Sequence, residues 1–245
     1  MNNQETLEKM RLLRLFGMEQ SFKNSIEIGK TNDFTCDEMV AHLIEAEYDY
    51  NQNKLISNLI KNAKLRYNPS LSEIKCSEER NLNKNLILRL SDLNWLKNGE
   101  NIIISGATGV GKSFLSCAIG MQACINGYKV LYNSFSKLFY QLKFAKNCNA
   151  YLKEINLLFK KDLLIIDDFG LEMLDKDSRI ILLEILEERL GRKSIIISSQ
   201  IPVENWYDLI GDKTIADAIC DRLISTSQQI QLRGDSLRKK KDKNS

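Results

Sequence analysis

Glu100-Asn101-Ile102-Ile103-Ile104-Ser105-Gly106-Ala107-Thr108-Gly109-Val110-Gly111-Lys112-Ser113 decides the fold of this 245-residue chain. The apolar run Ile102–Ile104 reads as a buried strand. It leads into Gly106–Ser113, which fits the phosphate-loop spacing G-x-x-x-x-G-K-[ST]. Leu115, Ala118, Ile119 and Ala123 then recur at helical spacing. A strand, a glycine-rich loop and a helix in that order make a phosphate cradle. Gly106, Gly109 and Gly111 allow the tight turn that aims successive backbone N–H groups at phosphate oxygens. Lys112 brings a point charge to the outer phosphates. The Ser113 hydroxyl is a ligand for Mg²⁺, and the helix N-terminus adds a partial positive charge. Ala107, Thr108, Val110 and Phe114 complete the expected contact with ATP. The alternative, a glycine-rich turn with no ligand, does not explain the lysine and the hydroxyl together.

Further along, strand and helix alternate. Strands are expected at 101–105, 129–133, 162–167, 194–199 and 228–233. Helices are expected at 112–126, 134–147, 150–160, 176–191 and 203–225, the last broken at Gly211. This predicts an α/β fold: a five-stranded parallel sheet flanked by helices. The strand Leu163-Leu164-Ile165-Ile166 ends in Asp167-Asp168, 55 residues after Lys112. Asp167 is placed to hold Mg²⁺, and Asp168 to orient or deprotonate an attacking water. Asp168 is one methylene shorter than the glutamate many ATPases carry, which leaves slow hydrolysis open. Ser199 and Gln200, at the end of the next apolar strand, could meet the γ-phosphate or the water; equally, they could cap the strand ahead of Pro202. Arg222 could pair with Asp217 or Asp221, or reach a neighbouring subunit's phosphate. Arg238 is a candidate phosphate sensor.

Before the phosphate loop the chain reads as helical. A short amphipathic helix over 4–16 ends near Gly17. A longer one starts at the capping box Thr35-Cys36-Asp37-Glu38 and runs toward Pro69. Lys54, Lys61, Lys64 and Arg66 lie along it, as a solvated face or as contacts to a DNA backbone. His42, the only histidine, sits between apolar residues and reads as a packed side chain. A further helix is expected at 84–97. The expected division is a helical N-terminal domain 1–68, a linker 69–83, the ATP-binding domain 84–238 and a basic, disordered tail 239–245.

Composition narrows the function classes. Six scattered cysteines with no C-x-x-C pair argue against a zinc site or a disulfide framework, and read as small apolar fillers in a reducing compartment. With no signal-like start and no membrane-length apolar run, a cytoplasmic protein is expected. The net charge of +3 is concentrated in residues 231–245, which hold 6 basic and 2 acidic side chains. A DNA-binding face elsewhere must come from three-dimensional sorting or from assembly.

Taken together, Gly106–Ser113, Leu163–Leu171, Leu183–Arg189, Ser198–Tyr207, Ile215–Leu223 and Gly234–Lys239 resemble the IstB family, AAA+ ATPases that help insertion-sequence transposases and are relatives of the DnaC helicase loaders. The Leu43–Glu47 segment resembles the family more loosely. The resemblance implies a AAA+ core with little or no C-terminal lid, and a helical N-terminal domain used for assembly or DNA contact. It implies ATP-dependent homo-oligomerisation on duplex DNA, largely independent of sequence, and delivery of that DNA to a transposase. It also implies that Arg222 acts between subunits. Ala107-Thr108, where proline is common, and Ser113, where threonine is frequent, depart from the family pattern but keep its chemistry. A helicase loader has a nearly identical core, and a nucleotide-bound clamp or adaptor with negligible turnover is the reading from another class.

Overall fold

The structure is a computed structural model that describes residues 2–29, 34–225 and 227–237. Arg238 and the basic tail 239–245 lie outside the described residues. The chain forms two compact units, Met1–Asn58 and Leu59–Ser245.

The first unit contains α1 (Asn3–Leu12), α2 (Phe16–Glu27) and the first part of α3 (Cys36–Ala63). The helix α2 was not expected. Gly17 does not stop a helix; it lies in the first turn of one. A Cβ at Gly17 would stand 2.3 Å from the Ala46 carbonyl oxygen, so the residue is glycine because α3 passes against it. Leu15 caps α2 with no side-chain hydrogen bond. The buried Glu47 carboxylate replaces the cap, accepting from the Gly17 N–H at 2.7 Å and the Met18 N–H at 3.1 Å. At the start of α3 the capping box forms: Thr35 N donates to Glu38 Oε2 at 2.8 Å, and Glu38 N donates to Thr35 Oγ1 at 3.4 Å. His42 is exposed rather than packed, hydrogen-bonded to Ser21 Oγ at 2.9 Å and stacked on Phe34. The helix ends earlier than Pro69, at Ala63, with Lys64 left-handed at φ 54°, so Lys64 and Arg66 are not on it.

The second unit is built on five parallel strands: β1 (Asn101–Ser105), β2 (Val130–Ser134), β3 (Leu163–Phe169), β4 (Ser194–Ser199) and β5 (Ser227–Gln231), in the order β2-β3-β4-β1-β5. The near-continuous apolar runs of β1, β3 and β4 follow from burial on both faces. Alternate residues feed two cores. Ile103, Leu164, Ile166, Ile195 and Ile197 face α7 (Phe135–Asn147), α8 (Tyr151–Phe159), α9 (Lys176–Arg189), α10 (Trp206–Ile210) and α11 (Lys213–Ile224). Ile102, Ile104, Leu163, Ile165 and Ile196 face α6 (Lys112–Ile125), α4 (Lys84–Ser91) and α5 (Asn94–Lys97). The expected single helix over 84–97 is divided by Leu93, left-handed at φ 57°. Gly211, at φ 73°, separates α10 from α11 where a break was expected. Within 69–83, Leu71 and Leu82 are buried in the second core.

All six cysteines are free, but only Cys117 and Cys124 are buried; Cys36 and Cys148 are exposed and fill no core. Among the described residues no helix is long and apolar enough to cross a membrane.

Candidate functional site

Parallel strands gather their carboxyl ends on one side of the sheet, and the phosphate loop, Asp167, Asp168, Ser199 and Gln200 lie there. Gly106 leaves β1 with φ 147°, and its N–H donates to the Ser199 carbonyl at 3.3 Å. A Cβ at Gly106 would lie 2.4 Å from the Leu232 carbonyl oxygen, so both the turn and the neighbouring chain exclude a side chain. Lys112 is 6% exposed, and its ammonium donates to the Gly106 and Ala107 carbonyls at 2.8 and 2.9 Å. Ser113 follows in the first turn of α6. Val110 is buried and offers only its backbone to a ligand. The Phe114 ring lies 6.0 Å from that of Tyr67.

Two segments distant in sequence close around the loop. Arg80 donates to the Val110 carbonyl at 2.9 Å, and Leu237 N donates to the Gly109 carbonyl at 2.9 Å. From β4, Gln200 accepts a hydrogen bond from Thr108 Oγ1 at 2.7 Å, which ties the loops after β1 and β4 together. Ser199 has another use. Its Oγ donates to the Phe169 carbonyl at 2.8 Å and accepts from Ile201 N at 3.0 Å, so it secures the ends of β3 and β4.

β3 continues beyond its expected end, through both carboxylates to Phe169. Asp167 and Asp168 together oppose Ser198 in a bulge between the pairs Ile166–Ile197 and Phe169–Ser199. Asp167 is fully buried. It accepts from the Tyr132 hydroxyl at 2.5 Å and from the Ser198 hydroxyl. Burial and the adjacent Asp167 carboxylate push the Tyr132 phenol well above its usual pKa, so it remains a donor. Asp168 is left-handed at φ 58°, and its carboxylate turns outward to Arg66, with Oδ2 3.8 Å from Nη1. Contact with the Tyr132 hydroxyl, reinforced by Tyr67, raises the Arg66 pKa.

A buried carboxylate on two hydroxyl donors, with a serine hydroxyl opening the neighbouring helix, is a hard-oxygen set suited to Mg²⁺. No group of three or more acidic, His or Cys side chains forms a metal cage among the described residues. Mg²⁺ commonly takes few protein ligands and completes its shell with phosphate and water.

Arg222 is not among these groups. On α11 its Nη1 donates to Ala218 O at 3.0 Å, and its Nη2 donates to Glu187 Oε1 of α9 at 2.9 Å as an ion pair. Its backbone carbonyl accepts from Asn101 Nδ2 at 3.4 Å, at the start of β1. The phosphate loop leaves the other end of β1, roughly 13 Å away at ~3.3 Å per strand residue.

One surface was missed in the sequence. Between Glu100 and Glu154 no acidic residue occurs, while Lys112, Lys129, Lys137, Lys143, Lys146 and Lys153 do. Four of these lysines, Lys137, Lys143, Lys146 and Lys153, fall on α7 and the start of α8. Tyr140 (69% exposed), Phe144 (60%) and Leu152 (72%) stand there beside the exposed Lys137 and Lys153. A run of 50-odd residues without a carboxylate was the available signal.

Comparison with known proteins adds four findings. The family described as IstB-like ATP binding protein matches residues 8–245. An insertion-sequence ATP-binding protein of Sinorhizobium fredii, y4pL, is 38% identical over 234 residues, 96% of each chain. Among solved structures, the DnaC helicase loader aligns with a TM-score of 0.57 at 20% identity, over 70% of this chain and all of the loader chain. The replication initiator DnaA bound to AMPPCP and single-stranded DNA aligns with a TM-score of 0.59 at 21% identity, over 74% of this chain and 56% of DnaA's. At those identities the likeness is one of fold.

Proposed function

The chain belongs to the family of IstB-like ATP-binding proteins, and on that premise we propose that it is an ATPase that assembles on duplex DNA in its ATP state and delivers that DNA to a partner transposase. The α7 surface carries the DNA part of the reading. The exposed Lys137 and Lys153 suit a phosphate backbone, and exposed aromatic rings suit sugars or unstacked bases. Replacing Lys137 and Lys153 with alanine should weaken binding to all DNA sequences alike. It should also lower the slope of log affinity against log salt by about 2, one per lost phosphate contact. An unchanged slope would remove α7 from the interface.

In this reading Gly106–Ser113 holds the triphosphate, and Lys112 moves from the Gly106 and Ala107 carbonyls to the phosphates. Asp167 and Ser113 would hold Mg²⁺, and the ion would supply charge neutralisation at the transferring phosphoryl group. Asp168 takes the proton of the attacking water, and Gln200, already joined to Thr108, orients it. Arg222 stands at the far end of β1 from its own loop, which supports action on a neighbouring subunit's phosphate. The chain is then incomplete as a catalyst until it assembles.

The deciding experiment is particle mass with and without duplex DNA, in ATP–Mg²⁺ and in ADP. Growth to a large oligomer only with ATP and DNA is expected. Arg222→Ala should bind ATP normally and lose turnover. A monomer under every condition would overturn the assembly reading and favour a helicase loader that works only when docked on its partner.

A further inference from the structure

The segment just after α3 places a cation beside Asp168, at the strand end that carries both carboxylates of the site. Lys64, left-handed, turns the chain so that Leu65 packs into the core beside α6, Arg66 reaches the end of β3, and Tyr67 meets Phe114. Arg66 Nη1 lies 3.8 Å from Asp168 Oδ2. The neighbouring Tyr132 hydroxyl donates to Asp167 at 2.5 Å. Arg66 is therefore the cation next to the strand end that carries both carboxylates. The two carboxylates are adjacent in sequence, and one is fully buried. Two such charges at a strand end call for a compensating cation.

We propose that Arg66 is a tethered counter-ion of the nucleotide site, a positioning residue that balances Asp167 and Asp168 until Mg²⁺ arrives with the triphosphate and takes over that charge. The inference rests on the ATP–Mg²⁺ reading of the site. The contact is built to be exchanged. At 3.8 Å it is an ion pair without a close hydrogen bond, and the two side chains are 46% and 31% exposed, so solvent screens it and the arginine has room to leave. It also follows directly on α3, which begins in the first compact unit and ends in the second.

The test is a Mg²⁺ titration of the full chain with a fluorescent, non-hydrolysable ATP analogue. Arg66→Ala should lower the half-saturating Mg²⁺ concentration by about 3- to 5-fold, the size set by a half-exposed ion pair. Arg66→Lys, which keeps the charge, should return it to within about 2-fold of the wild type. Arg66→Gln removes the charge and keeps most of the side chain's length and polarity, and it should shift the requirement in the same direction as Arg66→Ala. That variant decides the matter should Arg66→Ala fail to fold. An unchanged Mg²⁺ requirement in both variants would make Arg66 an ordinary surface residue. A raised requirement in Arg66→Ala would mean that the arginine holds phosphate instead. Either result, with a wild-type chain that binds the analogue, overturns the counter-ion role alone. A wild-type chain that fails to bind the analogue at any Mg²⁺ concentration overturns the nucleotide site and the role of Arg66 with it.

Discussion

Replacing Asp168 with asparagine is expected to lower DNA-stimulated ATP turnover by about 10²- to 10⁴-fold, the usual contribution of a positioned general base. ATP affinity and assembly on DNA should survive, so the variant should accumulate as a stable ATP-bound oligomer. The backbone makes this substitution unusually clean. Asp168 is left-handed at φ 58°, a conformation that asparagine shares with aspartate and most other residues avoid. Its N–H donates to Ser198 Oγ at 3.4 Å, and asparagine keeps that contact. Only the charge is removed. The same conformation explains why aspartate stands here. Glutamate would be strained by about 1–2 kcal/mol in the left-handed region. Asp168→Glu should therefore lose stability and gain nothing in rate, although glutamate is the commoner base in related sites. Turnover is measured by phosphate release at saturating ATP with duplex DNA. Asp168→Asn turnover equal to that of the wild type would point to the clamp that holds nucleotide without using it.

The phosphate loop was legible because its chemistry is local. Glycines, a lysine and a hydroxyl at fixed spacing carry their own geometry, and the strand and helix around them are short-range signals. The Asp167–Asp168 pair was legible for a similar reason, as charge abruptly ending an apolar run. What surrounds the pair was not. Tyr132 and Ser198 reach Asp167 because β2 and β4 flank β3, and the order β2-β3-β4-β1-β5 is written nowhere in the spacing of the strands. Arg66 was placed on a helix when Lys64 had already ended it, and nothing local distinguishes that lysine from its neighbours. Gly17 misled in the opposite way. In the sequence it reads as a helix terminator, whereas its missing side chain makes room for α3 at Ala46. The Arg222 ion-pair partner Glu187 lies on another helix, beyond the reach of a sequence window.

The segment Leu183–Arg189 ends in an arginine that does structural work, and its removal should cost more stability than that of any surface charge. Arg189 is 1% exposed. Its Nη1 donates to the carbonyls of Leu158 and Lys161 at 3.2 and 2.9 Å, and its Nη2 to those of Asp162 and Ser194 at 3.0 and 2.7 Å. Those carbonyls end α8 and precede or open β3 and β4, so one guanidinium gathers three elements at the edge of the sheet away from the phosphates. Burial pulls its pKa down to about 10, which still leaves it charged at neutral pH. Arg189→Met keeps much of the volume and removes all four donors. Leu158 O and Asp162 O retain backbone partners in Lys161 N and Ser194 N, so the loss is less than four full hydrogen bonds to a charged group. About 3 kcal/mol is expected, roughly a 150-fold shift in the folding equilibrium. Arg222→Ala, with an ion-pair partner 54% exposed, should cost at most about 1 kcal/mol. Urea unfolding of the two variants separates the cases. A lower midpoint at constant slope for Arg189→Met, with ATP affinity intact in the folded fraction, would identify Arg189 as a clamp on the sheet. Equal midpoints for Arg189→Met and wild type would mean that the buried charge costs as much to desolvate as its four carbonyl contacts return.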